Sequence, residues 1–235
     1  MKIRGERACS DCGTRWSYYE TGEISCPECG SLRSTAVSEP TEHTDSPVSL
    51  ELTSVRNAID SQPLRNTADD AAAVAAEYLR AAGFVHAGEL QPLGETYIAA
   101  AELRRVGTTL GRLMDVTEEE ELYFLSLLRG ADAGERPAPD AVPETFYPER
   151  GLAVAATVER YLSDLRRVRE GDDPELDRAL SAITARRKRI EALDGAVSPA
   201  ESEQLVYALE DVGAYLIESD EMALARALER LPEET

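Results

Sequence analysis

Cys9-Ser-Asp-Cys12-Gly-Thr-Arg-Trp16-Ser-Tyr18-Tyr-Glu-Thr-Gly-Glu-Ile-Ser-Cys26-Pro-Glu-Cys29 contains every cysteine of the chain. Two Cys-x-x-Cys pairs stand thirteen residues apart. Each pair can clamp two corners of a tetrahedron from one tight turn, so Cys9, Cys12, Cys26 and Cys29 read as one four-thiolate metal site. Gly13 and Gly30 follow the pairs and can take the left-handed backbone that closes such a knuckle. Between the knuckles, Arg15 to Glu20 reads as an aromatic strand, Thr21-Gly22 as a turn and Glu23 to Ser25 as a short returning strand. The expectation is a zinc ribbon over residues 1–35. A module this small cannot bury enough apolar surface to fold alone, so the metal is expected to supply most of its folding free energy.

Other uses of four cysteines fit less well. A disulfide pair suits an exported chain, but Met-Lys-Ile-Arg-Gly-Glu-Arg ahead of the first knuckle has no apolar core of the leader type. A thioredoxin-like redox pair needs a βαβ context, which the pattern lacks. Iron is the serious rival, because Cys-x-x-Cys-Gly and Cys-Pro-x-Cys-Gly resemble rubredoxin knuckles and four thiolates accept either metal. The expected cofactor is therefore one Zn2+ per chain, with a rubredoxin-like iron-cysteine electron carrier as the alternative.

On these residues the N-terminal stretch resembles the zinc ribbon of archaeal transcription factor B and eukaryotic transcription factor IIB. The resemblance implies structural zinc on the four cysteines and a surface that docks on a polymerase or another protein. The whole chain also resembles an uncharacterised family of ribbon-containing proteins from extremely halophilic archaea. Neither paired cyclin-like repeats nor a basic DNA-binding face follows the ribbon, so an initiation-factor role is not implied.

Composition sharpens this picture. The 235 residues carry a net charge of −20, and 23 arginines stand against two lysines, Lys2 and Lys188. This skew suggests a halophilic, acidic protein adapted to molar salt, where a Debye length of about 3 Å weakens self-repulsion. Residues 1–36 hold five bases and five acids, so the excess negative charge lies in the remainder. No apolar run reaches the roughly 18 residues of a membrane span, and the expectation is a soluble, cytoplasmic protein without membrane contact.

Beyond the ribbon the fold class is mainly α, with a linker at 36–48 leading to an antiparallel helical bundle over 49–235. The linker is rich in Ser, Thr, Pro and acids, and His43 within it reads as solvated. Helices are expected from Leu50 to Asp60, from Thr67 (capped with Asp70) to Ala82, from Glu95 to Met114, and from Thr117 with Glu120 to Gly130. Gly130 to Pro148 holds four prolines and reads as a long loop or a seam between subdomains. Three long helices follow, capped at Asp173 and Ser198, and a last one runs from Asp220 to Leu231. His86 reads as a loop residue.

No catalytic constellation emerges. With all cysteines in the metal site and neither His43 nor His86 in a Glu-x-x-His pair, no triad, phosphate loop or di-iron motif assembles. The basic run Arg186-Arg187-Lys188-Arg189 points around a helix circumference instead of forming a nucleic-acid face, and Arg187 on the apolar stripe is expected either to snorkel or to meet a carboxylate of a neighbouring helix. The function expected is a non-enzymatic adaptor that binds a protein partner through Trp16 and Tyr18 on one strand face, without binding nucleic acid directly. The ribbon's balanced charge and its anionic thiolate site offer phosphate little attraction.

Overall fold

Glycines and prolines divide the first 47 residues into pieces too short for long strands, and the computed structural model, which describes residues 1–231, shows them as such. The strands are β1 (Lys2–Ile3), β2 (Glu6–Cys9), β3 (Arg15–Ser17), β4 (Ser34–Ala36) and β5 (Thr41–Glu42). β2 lies between β3 and β4, antiparallel to both, with Arg7 opposite Trp16 on one side and Ala36 on the other. β5 pairs with β1.

Two local expectations need correction. The aromatic strand stops at Ser17, because Tyr18–Thr21 winds into a one-turn helix, α1, ended by Gly22 at φ 66°. A left-handed residue costs glycine little, and it stops the ladder there. The returning strand expected at Glu23 to Ser25 does not form. The Glu23 carbonyl accepts from Trp16 Nε1 at 3.0 Å, so a side chain takes the place of a ladder partner. The third strand of the ribbon is β4, beyond the second knuckle.

The body is helical: α2 (Thr53–Ala58), α3 (Leu64–Ala81), α4 (Glu95–Leu110), α5 (Glu118–Gly130), α6 (Tyr147–Val168), α7 (Pro174–Ala192), α8 (Pro199–Glu218) and α9 (Glu221–Arg230). A hairpin of β6 (Val85–His86) and β7 (Glu89–Leu90) interrupts them. Several caps form as read. Thr117 and Glu120 make the reciprocal box that opens α5, and Asp173 and Ser198 accept amide bonds at the starts of α7 and α8; Asp220, read only as the start of the last helix, caps α9 in the same way. Thr67 is not a cap, because α3 begins earlier, after Pro63, and Thr67 lies fully buried inside it. Leu122, grouped with the buried residues of α5 by its apolar run, faces outward and is 60% exposed.

Two apolar cores result. One joins α2 to α5 through small residues such as Ala68, Ala71 and Ala75, which let α3 and α4 approach closely; Gly107 faces the Ala68 carbonyl so tightly that a Cβ would lie 2.6 Å from it. The other gathers α6 to α9 around Val158, Tyr161, Leu165, Ile183, Leu205 and Leu209. The segment read as a seam, 130–148, contributes Val142 and Phe146 to the first core.

Arg136, from that segment, reaches between the cores. It bonds Glu203 of α8 at 2.9 and 3.0 Å and approaches Glu102 of α4 at 3.4 Å, while Arg150 of α6 bonds Glu203 at 2.8 Å and the Pro137 carbonyl at 3.0 Å. The Tyr123 hydroxyl donates to Glu102. Burial opposes the charge on Glu203, yet Arg136 and Arg150 hold its carboxyl below the usual range. Burial and the Glu102 charge push the Tyr123 hydroxyl up, so it stays a donor. Two positive and two negative charges thus neutralise one another where the cores meet.

Candidate metal centre and its seat on the helical body

Each knuckle is shaped by the same backbone bonds. Gly13 N–H donates to the Cys9 carbonyl at 3.1 Å and Gly30 N–H to the Cys26 carbonyl at 2.8 Å, both glycines at positive φ. The amide of Asp11 reaches the Cys9 sulfur at 3.4 Å. These turns bring the four Sγ atoms within 4.8 Å of one another, with Cys9 to Cys29 at 3.7 Å and Cys12 to Cys26 at 3.5 Å. A tetrahedron with metal–sulfur bonds of about 2.3 Å has an edge of about 3.8 Å, so the thiol set fits a bound ion.

Electrostatics lead to the same need. Contacts to the Thr14 hydroxyl and amide hold Cys12 down at about 6. The Ser31 amide draws Cys29 down as well, but the neighbouring Cys12, burial and the remaining thiols outweigh it and push Cys29 up to about 12. Without a cation, the cluster resists carrying several thiolates at once. A divalent ion removes that resistance.

Cys9 and Cys26 are buried with Trp16 as a three-residue core, while Cys12 and Cys29 face outward. Trp16 is 7% exposed and its indole N–H is already bonded, so it packs the knuckles and does not share a surface with Tyr18. This corrects the paired docking face. Tyr18, displaced into α1, is half-buried beside exposed Ile24 and stays at the surface.

The segment expected to be a free linker is stitched to both sides. The His43 amide donates to the Met1 carbonyl, Thr44 N–H to the Val85 carbonyl at 2.9 Å, and Gly88 N–H to the Glu42 carbonyl at 2.8 Å. The Thr44 hydroxyl donates to Asp164 of α6 at 2.7 Å, and the Phe84 amide joins the same carboxylate at 3.0 Å. Asp164 is fully buried. Gly83 allows the approach, since a Cβ there would lie 2.3 Å from the Thr44 carbonyl oxygen.

His43 is 7% exposed, which corrects its reading as solvated. Its Nδ1 accepts from the Ala87 amide at 3.2 Å, and its ring lies 4.5 Å from Tyr19 and 5.1 Å from His86. Burial, then the nearby His86 ring, hold the His43 imidazole below its ordinary range. Ribbon and body therefore meet around Tyr19, His43 and His86, one from each of α1, the 43–48 segment and the hairpin.

One arrangement thus runs from the first strand to the last helix, and one family model follows it. The chain belongs to DUF7117, a family of unknown function whose model matches residues 1–231. No curated protein and no solved structure matches it. The DUF7117 match takes in the knuckles, the stitched segment and all the helices together.

In this DUF7117 chain the basic run of α7 is engaged by carboxylates. Arg187 bonds Glu159 of α6 at 3.1 Å and Glu191 at 2.8 Å, one of the two outcomes that its place on the stripe implied, and Arg186 and Arg189 both reach Glu201. No described helix is long and apolar enough to cross a membrane. The junction residues Tyr19, His43, Thr44, His86 and Asp164 escaped the sequence reading. The available signal was Ala87-Gly88, both at positive φ, a two-residue hairpin turn that would have placed His86 on a strand.

Proposed function

We propose that this protein is a zinc-ribbon adaptor: the ribbon holds one structural Zn2+ on Cys9, Cys12, Cys26 and Cys29 and presents a protein-docking surface that includes Tyr18, while the helical body carries it. The observation behind this reading is the cluster of four thiols within 4.8 Å of one another. Four protein ligands leave no position for a substrate or water, so the metal stabilises and does not catalyse. The ribbon's resemblance to transcription factor B supports a partner in transcription or other information-processing machinery. The acidic, arginine-skewed composition supports a working environment of molar salt, in the cytoplasm of a halophile.

Exposed Cys12 and Cys29 favour a second reading, a rubredoxin-like iron centre whose outward sulfurs pass electrons. Metal analysis with a visible absorption spectrum separates the two. One zinc per chain and no visible band supports the adaptor; one iron with a reversible redox couple overturns it. Tyr18→Ala should then abolish capture of the partner while metal content is unchanged.

A further inference from the structure

A groove of about 510 Å³ lies between the ribbon and the stitched segment. Its lining includes Ile3, Ile24, Ala36 and Tyr18 together with Arg4 and Arg7. In a protein of 45 acids, neither has a carboxylate partner among the described residues: Arg4 Nη1 donates to the Ser38 carbonyl at 3.1 Å, and Arg7 donates through Nε and Nη2 to Ser34 oxygens at 2.9 to 3.5 Å. Those bonds fix the guanidinium stems and leave Arg7 Nη1 and the other Arg4 donors for something else. At the body end the lining includes Asp45, its one acid, which already faces the Gly83 amide at 3.3 Å and His86 at 3.8 Å.

We propose that this groove binds an extended peptide segment of a partner protein in which apolar residues alternate with Asp or Glu. Alternate side chains of an extended chain point to opposite faces, so the apolar set can lie on Ile3, Ile24 and Tyr18 while neighbouring carboxylates reach Arg4 and Arg7 along the rim. The groove is open to solvent. A small ligand would stay largely wet there, whereas a chain running past both ends would not need enclosure. A polyanionic nucleic acid is disfavoured because only two arginines face it and the chain carries −20 overall. The proposal rests on the adaptor reading and names the chemistry of the partner.

The test uses the full-length, metal-loaded protein and fluorescence anisotropy in about 0.15 M KCl. The probes are a labelled ten-residue peptide alternating leucine and glutamate, its glutamine and lysine counterparts, and a ten-nucleotide single-stranded RNA. The glutamate peptide should bind about tenfold more tightly than the glutamine one, with the lysine peptide weaker still. Arg4→Gln and Arg7→Gln should each remove most of that preference without loss of bound metal. Equal binding of the glutamate and glutamine peptides, or an unchanged preference in both variants, overturns the proposal, as does an RNA that binds more tightly and displaces the peptide. If partner capture depends on Tyr18 while the arginine variants change nothing, the adaptor reading survives and the acidic peptide does not; a redox-active iron centre sinks the adaptor reading itself.

Discussion

The ribbon and the helical body hold together by opposite means. Around the knuckles the buried apolar set is Cys9, Trp16 and Cys26 alone, whereas each core of the body gathers more than a dozen buried side chains and one neutralised charge cluster lies where the two cores meet. Burial of apolar surface contributes roughly 25 cal/mol per Å², and three residues cannot offset the ordering of some 35. Small size forces the ribbon to depend on a ligand. The body depends on packing, and the two meet through the stitched segment and the rings of Tyr19 and His86.

Metal removal should break the comparison most visibly. Chelation, or Cys26→Ser, is expected to unfold the ribbon completely while helical circular dichroism persists, because apparent binding energies of structural zinc, about 10–16 kcal/mol, act on one side only. Collapse of helicity along with the ribbon would mean that the body borrows its stability from the metal through Thr44 and Asp164. Salt should act the other way round. Lowering KCl from about 3 M to about 0.1 M lengthens the Debye length from under about 3 Å to about 10 Å, so the melting temperature of the body should fall while zinc content holds. A flat profile would remove the case for adaptation to salt.

Arg150→Met probes the body alone. It leaves Glu102 and Glu203 buried with only Arg136 to compensate them, and a loss of about 3–5 kcal/mol is expected in denaturant unfolding monitored by helical signal. Gly83→Ala probes the seat: its Cβ would strike the Thr44 carbonyl, and a cost of about 1–3 kcal/mol should come with faster amide exchange at Thr44 and Gly88. Unchanged exchange would show that the segment yields without letting go.

The smallest effects are those of pH, and they have opposite signs in the two regions. His43 is held below its ordinary 6.5, so below that pH the unfolded chain binds a proton that the folded one resists, and stability is lost as pH falls through the folded value. Its neighbours are Asp45, which favours the charged form, and His86 and the Met1 ammonium, which oppose it. Glu210 of α8 behaves conversely. Burial and Glu95 push its carboxyl up from 4.5 to about 7, so its contribution is complete below pH 4.5 and is lost as pH rises through 7. His43→Gln should flatten the acid limb by about 2–4 °C in Tm, and Glu210→Gln should raise Tm at pH 8 but not at pH 4. Matching pH profiles for the two variants and the parent would remove both assignments.

Much of the fold was legible because its signals are local. The Cys-x-x-Cys spacing placed the four sulfurs, and Thr117, Asp173 and Ser198 announced their helices through side chains that serve the next amides. Arg187 could be placed on the stripe of Ile183 and Ile190, where it had either to snorkel or to find a carboxylate, and it finds Glu159 and Glu191. What remained hidden depends on contacts far apart in sequence. Thr44 and Asp164 are 120 residues apart, and nothing in a Ser, Thr and Pro-rich stretch distinguishes a docked strand from a solvated tether. Trp16 was equally ambiguous, since an aromatic strand reads alike whether its ring packs a knuckle or faces a partner.

The seat on Gly83 has a consequence for dividing the chain. A cut at residue 48, where composition invites one, would strip Glu42, His43 and Thr44 from the hairpin and leave the Val85 carbonyl, the Ala87 and Gly88 amides and the buried Asp164 carboxylate facing water. Such a rim is a template on which other chains can pair, so a helical fragment prepared that way is expected to self-associate. The segment from Thr41 to Asp45 belongs to both halves, and neither half is whole without it.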